Sequence, residues 1–381
     1  MDYAFFQAYW WFIISLLGAL LVFLFFVQGG QTLLYTIGKN EIERTMLVNS
    51  LGRKWDLTFT TLVTFGGAAF ASFPMFYATS FGGAYWPWIL LLLCFVLQAV
   101  SYEWRTKGGN IFGHKTFEIF LLINGFGGLI LFGIAVGTFF TGSDFSVHKG
   151  DLTQLSMPII STWHNPLHGL EAVFNVRNLL LGLSIFFLAR VMGSLYFINN
   201  INDEMIVTRS RKQVLYDAIA FLIVFLPFIV WTFLSQGFAV NPDTDMVYLQ
   251  PGKYFINFIQ MPLIGLLFLV GVVALLWGIY LGAFSKTNTK GIWFAGIGAV
   301  LAVLTLLLNL GYNHTSFYPS VYDLQSSLTI YNSSSSFFTL KVMSVVSLLI
   351  PFVLAYIVYV WRVMDKKKID KAEMEEESVK Y

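Results

Sequence analysis

Long apolar stretches alternate with short polar connections along the whole chain. Nine continuous apolar runs lie at about 5–27, 57–79, 84–104, 116–140, 170–198, 213–236, 261–284, 292–312 and 339–361. Each matches the roughly 20 residues that a helix needs to cross a bilayer. The runs read as LLGALLVFLFF or WILLLLCFVL, without the period-two alternation of a membrane barrel. The expectation is an all-α membrane protein of nine transmembrane helices, with residues 1–381 as one integral domain and 363–381 as a tail. Gly66-Gly67 and Gly127-Gly128 fall inside two runs, where small residues predict tight helix packing.

The connections set an orientation. Lys39, Arg44, Arg53 and Lys54 lie in the first, Arg105, Lys107 and Lys115 in the third, and Arg209, Arg211 and Lys212 in the fifth. Lys286 and Lys290 follow in the seventh, and Arg362, Lys366, Lys367, Lys368, Lys371 and Lys380 in the tail. The opposite connections hold only Lys149 and Lys253. An excess of Lys and Arg marks the cytoplasmic side, so the N-terminus is expected outside and the C-terminus inside. The start MDYAFF is acidic and its apolar run is long, which predicts a retained span, with no cleaved signal. The mixed-charge tail KKKIDKAEMEEESVKY reads as a frayed helix end.

Composition narrows the classes. Charged residues make up 12% of the chain, against roughly 25% in a soluble domain. That excludes a soluble enzyme and a nucleic-acid-binding protein. The single cysteine, Cys94, excludes an internal disulfide or a thiolate metal cluster. His114, His148, His164, His168 and His314 all lie in loops or at span edges, so no haem ligand is expected from a span. His164 and His168 are four apart in WHNPLH, but Pro166 separates them and no third ligand is near, so no metal site is expected.

Ionisable groups inside spans are costly and mark candidate functional sites. Asp56 opens the second run in RKWDL and is the candidate proton-path carboxylate. Its neighbours Arg53 and Lys54 should weaken it as a relay. Glu103, Arg105, Glu118 and Arg190 form a second rank, with ion pairing or snorkelling as the structural alternative. Asp217 opens the sixth run, and Glu171 and Arg177 lie near the outer end of the fifth.

Several stretches resemble subunit II of the cytochrome bd quinol oxidases. In IERTMLVNSLGRKWD and GGAAFASFPMFYATSF the matching residues are Arg44, Asn49, Ser50, Trp55, Asp56, Gly66, Gly67, Phe70, Ala71, Pro74 and Tyr77. SYEWRTK, the opening FFQAYWW and YPSVYDLQSSLTIYNSSSSFFTLKVM before the last run are similar to the family as well. The resemblance implies two four-helix bundles plus one extra helix. It also implies a heterodimer with a haem-bearing subunit I that holds haems b and d and the quinol site. This chain would hold no haem and no catalytic residue. It would stabilise its partner, hold a structural quinone as some members do, and lend Asp56 to a cytoplasmic proton path. Lipids and a small third subunit are further partners to consider, in a bacterial inner membrane. The sequence departs from the family at QGGQTLLYTIG, where Gln28 and Gln31 stand in place of acids and cannot carry a transferable proton at neutral pH. Two other readings stand beside this one. One is a secondary transporter with a polar site at Arg190 and Asn309, and the other is a haem-free anchor of another respiratory complex.

Overall fold

The computed structural model describes residues 2–148 and 160–375. Lys149, Lys380 and the tail beyond Glu375 lie outside the described residues. The helices in chain order are α1 (Tyr3–Gln31), α2 (Glu41–Gly52), α3 (Trp55–Ser72), α4 (Tyr85–Trp104), α5 (Gly113–Thr141) and α6 (Val176–Asn200). They continue with α7 (Glu204–Leu234), α8 (Lys253–Gln260), α9 (Pro262–Phe284), α10 (Gly291–Gly311), α11 (Phe337–Met364) and α12 (Lys371–Glu375). Asp2, Asn40, Asn175, Asp203 and Ser336 each cap the helix that follows them, accepting from N–H groups left open in its first turn. Two short antiparallel strand pairs, β1 (Phe145–Val147) with β2 (Ser161–Trp163) and β3 (Gln236–Val240) with β4 (Val247–Pro251), and several single helical turns such as Leu34–Ile37 and Leu170–Phe174 lie between them.

Eight of these helices are long and apolar enough to cross a membrane: α1, α4, α5, α6, α7, α9, α10 and α11. The second apolar run is different. α3 ends at Ser72, Pro74 restarts a single turn, and a π-helical turn follows at Ala78–Gly83. The segment nevertheless begins beside the tail, where Lys54 meets Asp365, and ends where the Trp163 indole donates to the Thr79 carbonyl. α7 also begins earlier than the apolar pattern suggests, so Asp217 lies in its second quarter instead of opening it.

α1 and α6 form the buried centre. A side chain at Gly29 would collide with the backbone of Ala189, and one at Gly193 with that of Gly30, so the close α1–α6 crossing requires glycine. Gly127 packs on the Cys94 sulfur as the tight-packing expectation requires, but Gly67 has nothing within 4 Å and faces open space. α1, α3, α4 and α5 are neighbours on one side of this centre; α7, α9 and α10 lie with α6 on the other.

The loops sort to two ends. At one end Arg53 pairs with Glu373, Lys54 with Asp365, Lys371 with Asp203 and Arg209 with Glu43. At the other, Ser143 bridges Ser320, Ala239 bridges Thr315 and Lys253 donates to the Asn313 carbonyl. The described tail is therefore docked, not frayed. Its acids reach cations more than 300 residues away in the chain, which no local pattern can register.

Candidate functional site

The basic end is built around one carboxylate. The loop after α4 turns through Gly109, at positive φ, and is held by Asn110, whose amide donates to the Arg105 carbonyl and whose oxygen accepts from Phe112 and Gly113. This turn sets Glu118, in the second turn of α5, against Arg105. The Arg105 Nη2 donates to Glu118 Oε1 at 2.8 Å and to Thr45 Oγ1 at 3.1 Å. The other Glu118 oxygen accepts from the Tyr35 hydroxyl at 2.7 Å and from Arg44 Nε at 3.1 Å. Arg105 and Glu118 are buried. Burial, and then the bond to Glu118, push the Tyr35 hydroxyl up to about 12, so it acts as a donor. Snorkelling is thus ruled out for this pair: two guanidiniums and a phenol lock one buried carboxylate. Arg44, Thr45 and Tyr35 were not among the expected site residues, because their partners lie 60 to 83 positions away.

The other expected residues lie elsewhere. Glu103 is exposed and pairs with Lys107 one turn on, at 3.2 Å. Arg190 Nε donates to Asp217 Oδ1 at 2.9 Å, its Nη1 reaches Thr32 Oγ1 at 3.0 Å, and Gln213 donates to the second Asp217 oxygen. Asn309 is bonded to Tyr254 and Asn257 in the last turn of α10 and shares no partner with Arg190. A joint transport site is not assembled from those two.

Asp56 occupies the first turn of α3 with its side chain exposed and makes no hydrogen bond or ion pair among the described residues. The neighbouring cations, expected to weaken it, are turned away: Lys54 is fully buried against Asp365 at 2.8 Å with the Trp361 ring below it, and Arg53 pairs with Glu373. Gln28 and Gln31 point inward. Gln28 donates to Gln98 at 2.6 Å and Gln31 to Tyr102 at 3.1 Å, with Asn124 buried at the π-turn of α5. This neutral row, whose Gln28 and Gln31 already stand out as departures from the family's acids, contains no ionisable carboxylate. Polar residues one or two turns apart in otherwise apolar runs were its available signal.

At the opposite end His148 and His164 both reach the Ser146 hydroxyl, with no third metal-ligating side chain grouped with them among the described residues. His164 stacks on Tyr322 and contacts Ser146, while His168 stacks on Tyr85. An apolar cavity of about 230 Å³ lies between the two helix groups, lined by residues such as Val22, Phe65, Phe140, Phe221, Phe225 and Leu275.

Comparison with known proteins agrees with this architecture. The family profile described as cytochrome bd terminal oxidase subunit II matches residues 6–364. A probable cytochrome oxidase subunit 2 of Haemophilus influenzae is 29% identical, over 97% of this chain and 98% of its own. The cytochrome bd-I ubiquinol oxidase subunit 2 of Escherichia coli K12 is 27% identical over 93% of each, and the cytochrome bd ubiquinol oxidase subunit 2 of Bacillus subtilis 29% over 96% and 97%. The solved bd oxidase of Geobacillus thermodenitrificans has a chain of the same fold, with a TM-score of 0.65 at 14% identity, covering 95% of this chain and 99% of that one. The chain belongs to the cytochrome bd terminal oxidase subunit II family, a component of a respiratory terminal oxidase.

Proposed function

We propose that this chain is the haem-free membrane subunit of a bd-type quinol:oxygen oxidoreductase, seated against a haem-bearing subunit I. In this reading it crosses a bacterial cytoplasmic membrane nine times, as two four-helix bundles plus one extra helix, with the basic end in the cytoplasm. The observation that carries the reading is the outward face of α3. Asp56, Thr60, Thr64, Gly67 and Phe70 are all exposed and fall at helical spacing on one face. A hydroxyl-bearing, glycine-containing face suits another helix better than lipid, because small residues let backbones approach and hydroxyls find partners across the contact. α11 begins beside it, with the Ser335 N–H bonded to the Ser72 carbonyl, and is barely covered by the rest of the chain. The two together offer a broad seat for a partner subunit.

The interior fits the same role. None of the five histidines faces the membrane-embedded core, so this chain offers no imidazole for a haem, and the haems b and d belong on the partner. The apolar cavity suits the hydrocarbon tail of a quinone or lipid, but its lining gives a quinone head no free donor. Asp56, at the cytoplasmic end of the partner-facing stripe, is a carboxylate placed to pass protons towards the partner.

The test is Gly67→Leu. The added side chain meets nothing within this chain, so the subunit folds, but the helix contact is blocked and subunit I co-purifies several-fold less. Unchanged co-purification would remove α3 from the interface. Asp56→Asn is expected to slow proton uptake and turnover of the assembled oxidase; unchanged rates would make Asp56 a surface residue without a relay role.

A further inference from the structure

At the end opposite the basic loops, Arg177 opens α6 next to a recess of about 370 Å³ lined by Thr141, Asn175, Trp231, Ser235 and Gln236. Its guanidinium donates to the Ser235 hydroxyl at 2.5 Å and to the Phe140 carbonyl at 3.1 Å. Both acceptors are neutral. No carboxylate among the described residues lies within ion-pair distance of it, whereas Arg44, Arg53, Arg105, Arg190 and Arg209 each have one; Arg211, at the basic end, is likewise held by carbonyls alone, those of Gly282, Lys286 and Asn288. An arginine presents five N–H donors in a fixed fork suited to phosphate oxygens. Leaving this one half-buried without an anion is costly.

The surroundings state what kind of anion fits. Ile223, Leu226, Val230, Trp231 and Leu234 are exposed along one face of α7 and run up to the recess. Trp231 carries the ring type that gathers at the membrane interface. Phe174 and Val176 continue the apolar surface on the other side of Arg177, 78% and 58% exposed.

We infer that this recess is a phospholipid headgroup site: the phosphate rests on Arg177 and its hydroxyl and amide neighbours, and the acyl chains lie along the exposed face of α7. A single unbalanced cation favours a lipid with net negative charge, such as phosphatidylglycerol, over a zwitterionic one. The apolar stripe is what selects a lipid phosphate over a free one.

The experiment uses the assembled complex, delipidated and placed in nanodiscs, with phosphatidylglycerol as the probe and bound lipid read by native mass spectrometry. The wild type should hold phosphatidylglycerol at least tenfold more tightly than Arg177→Gln, since the lost contact is a charge-assisted one. Arg177→Lys, which keeps the charge and loses the fork, should fall between. Phosphatidylcholine should bind more weakly to the wild type, and millimolar inorganic phosphate should not displace the lipid. Oxygen consumption, which does not depend on Arg177, serves as the control for folding and assembly. Equal lipid retention by the wild type and Arg177→Gln overturns the site. Displacement by inorganic phosphate, or a protein segment cross-linked to position 177 in place of lipid, overturns the lipid assignment.

Discussion

Glu118 shows how one side chain organises an end of the molecule. It is buried, and it joins α5 to α4, to α2 and to the turn at Leu34–Ile37 through Arg105, Arg44 and Tyr35. Removing one partner of a buried pair leaves the other charge without compensation, at about 3–5 kcal/mol. Glu118→Leu should therefore lower the thermal midpoint strongly, while Arg44→Ala, at the more exposed arm, should cost far less. Midpoints measured in detergent would show the ranking, and equal losses would mean that Arg105 does not depend on Glu118. Glu43 makes a pH-dependent counterpart. The Arg209 bidentate contact holds its carboxyl down to about 2, from 4.5. A depressed carboxylate contributes stability that is complete above its unfolded value and lost as pH falls through the folded one. Stability should thus decline between about pH 4.5 and 2, and Glu43→Gln should remove this portion of the decline. Unfolding curves along a pH series would detect it. These pairs were invisible as pairs in the sequence. The residue types were legible there, but Arg105 meets Glu118 across a 13-residue turn, and Arg44–Glu118 and Arg209–Glu43 are contacts across 74 and 166 positions that depend on how the helices pack.

At the scale of elements, apolar length recovered the helices well because hydrocarbon demands internally bonded helices of fixed length. It did not register the break after α3 or the docking of the tail, for opposite reasons. α3 is interrupted by Pro74 and carries threonines on its outer face, so its composition is poorer than that of a lipid-facing span. The tail is polar throughout and looks solvated, yet Ile369 is fully buried beside Ile201 and Asp365 caps the buried Lys54 ammonium. Burial lowers the proton affinity of Lys54, and Asp365 opposes that. Truncation after Met364 should therefore destabilise the fold by leaving a buried ammonium unpaired. In the truncated chain Lys54→Met should restore part of the loss, since an apolar side chain of similar length has no charge to strand. Proteolysis rates of the truncated and doubly altered chains would separate the two. No rescue would mean that the tail stabilises through Ile369 packing alone.

For the whole molecule, the question that composition raised and helix geometry sharpened is sidedness. The basic loops gather at one end with the described tail, and the strand pairs and the 313–336 loop gather at the other, so one crossing more or fewer would force a basic loop into the wrong group. The segment from Trp55 to Gly83 reaches from the first end to the second although only eight helices qualify by length and apolarity. Nine crossings follow if that broken segment spans the bilayer, and eight if it turns back within it. The one cysteine, Cys94, is buried, so Cys94→Ala gives a clean background for labelling. In intact cells, a membrane-impermeant maleimide should label cysteines placed at Tyr248 and Tyr322, and should leave those at Lys107 and Lys286 unlabelled until the membrane is opened. A cysteine at Gly82, also exposed, reports on the broken segment itself. Labelling there from outside makes Trp55–Gly83 a true crossing, and protection there together with labelling at Tyr248 would mean that the segment turns back within the membrane. The α3 face would then be no seat for a transmembrane partner, and the proposed assembly would need a different surface.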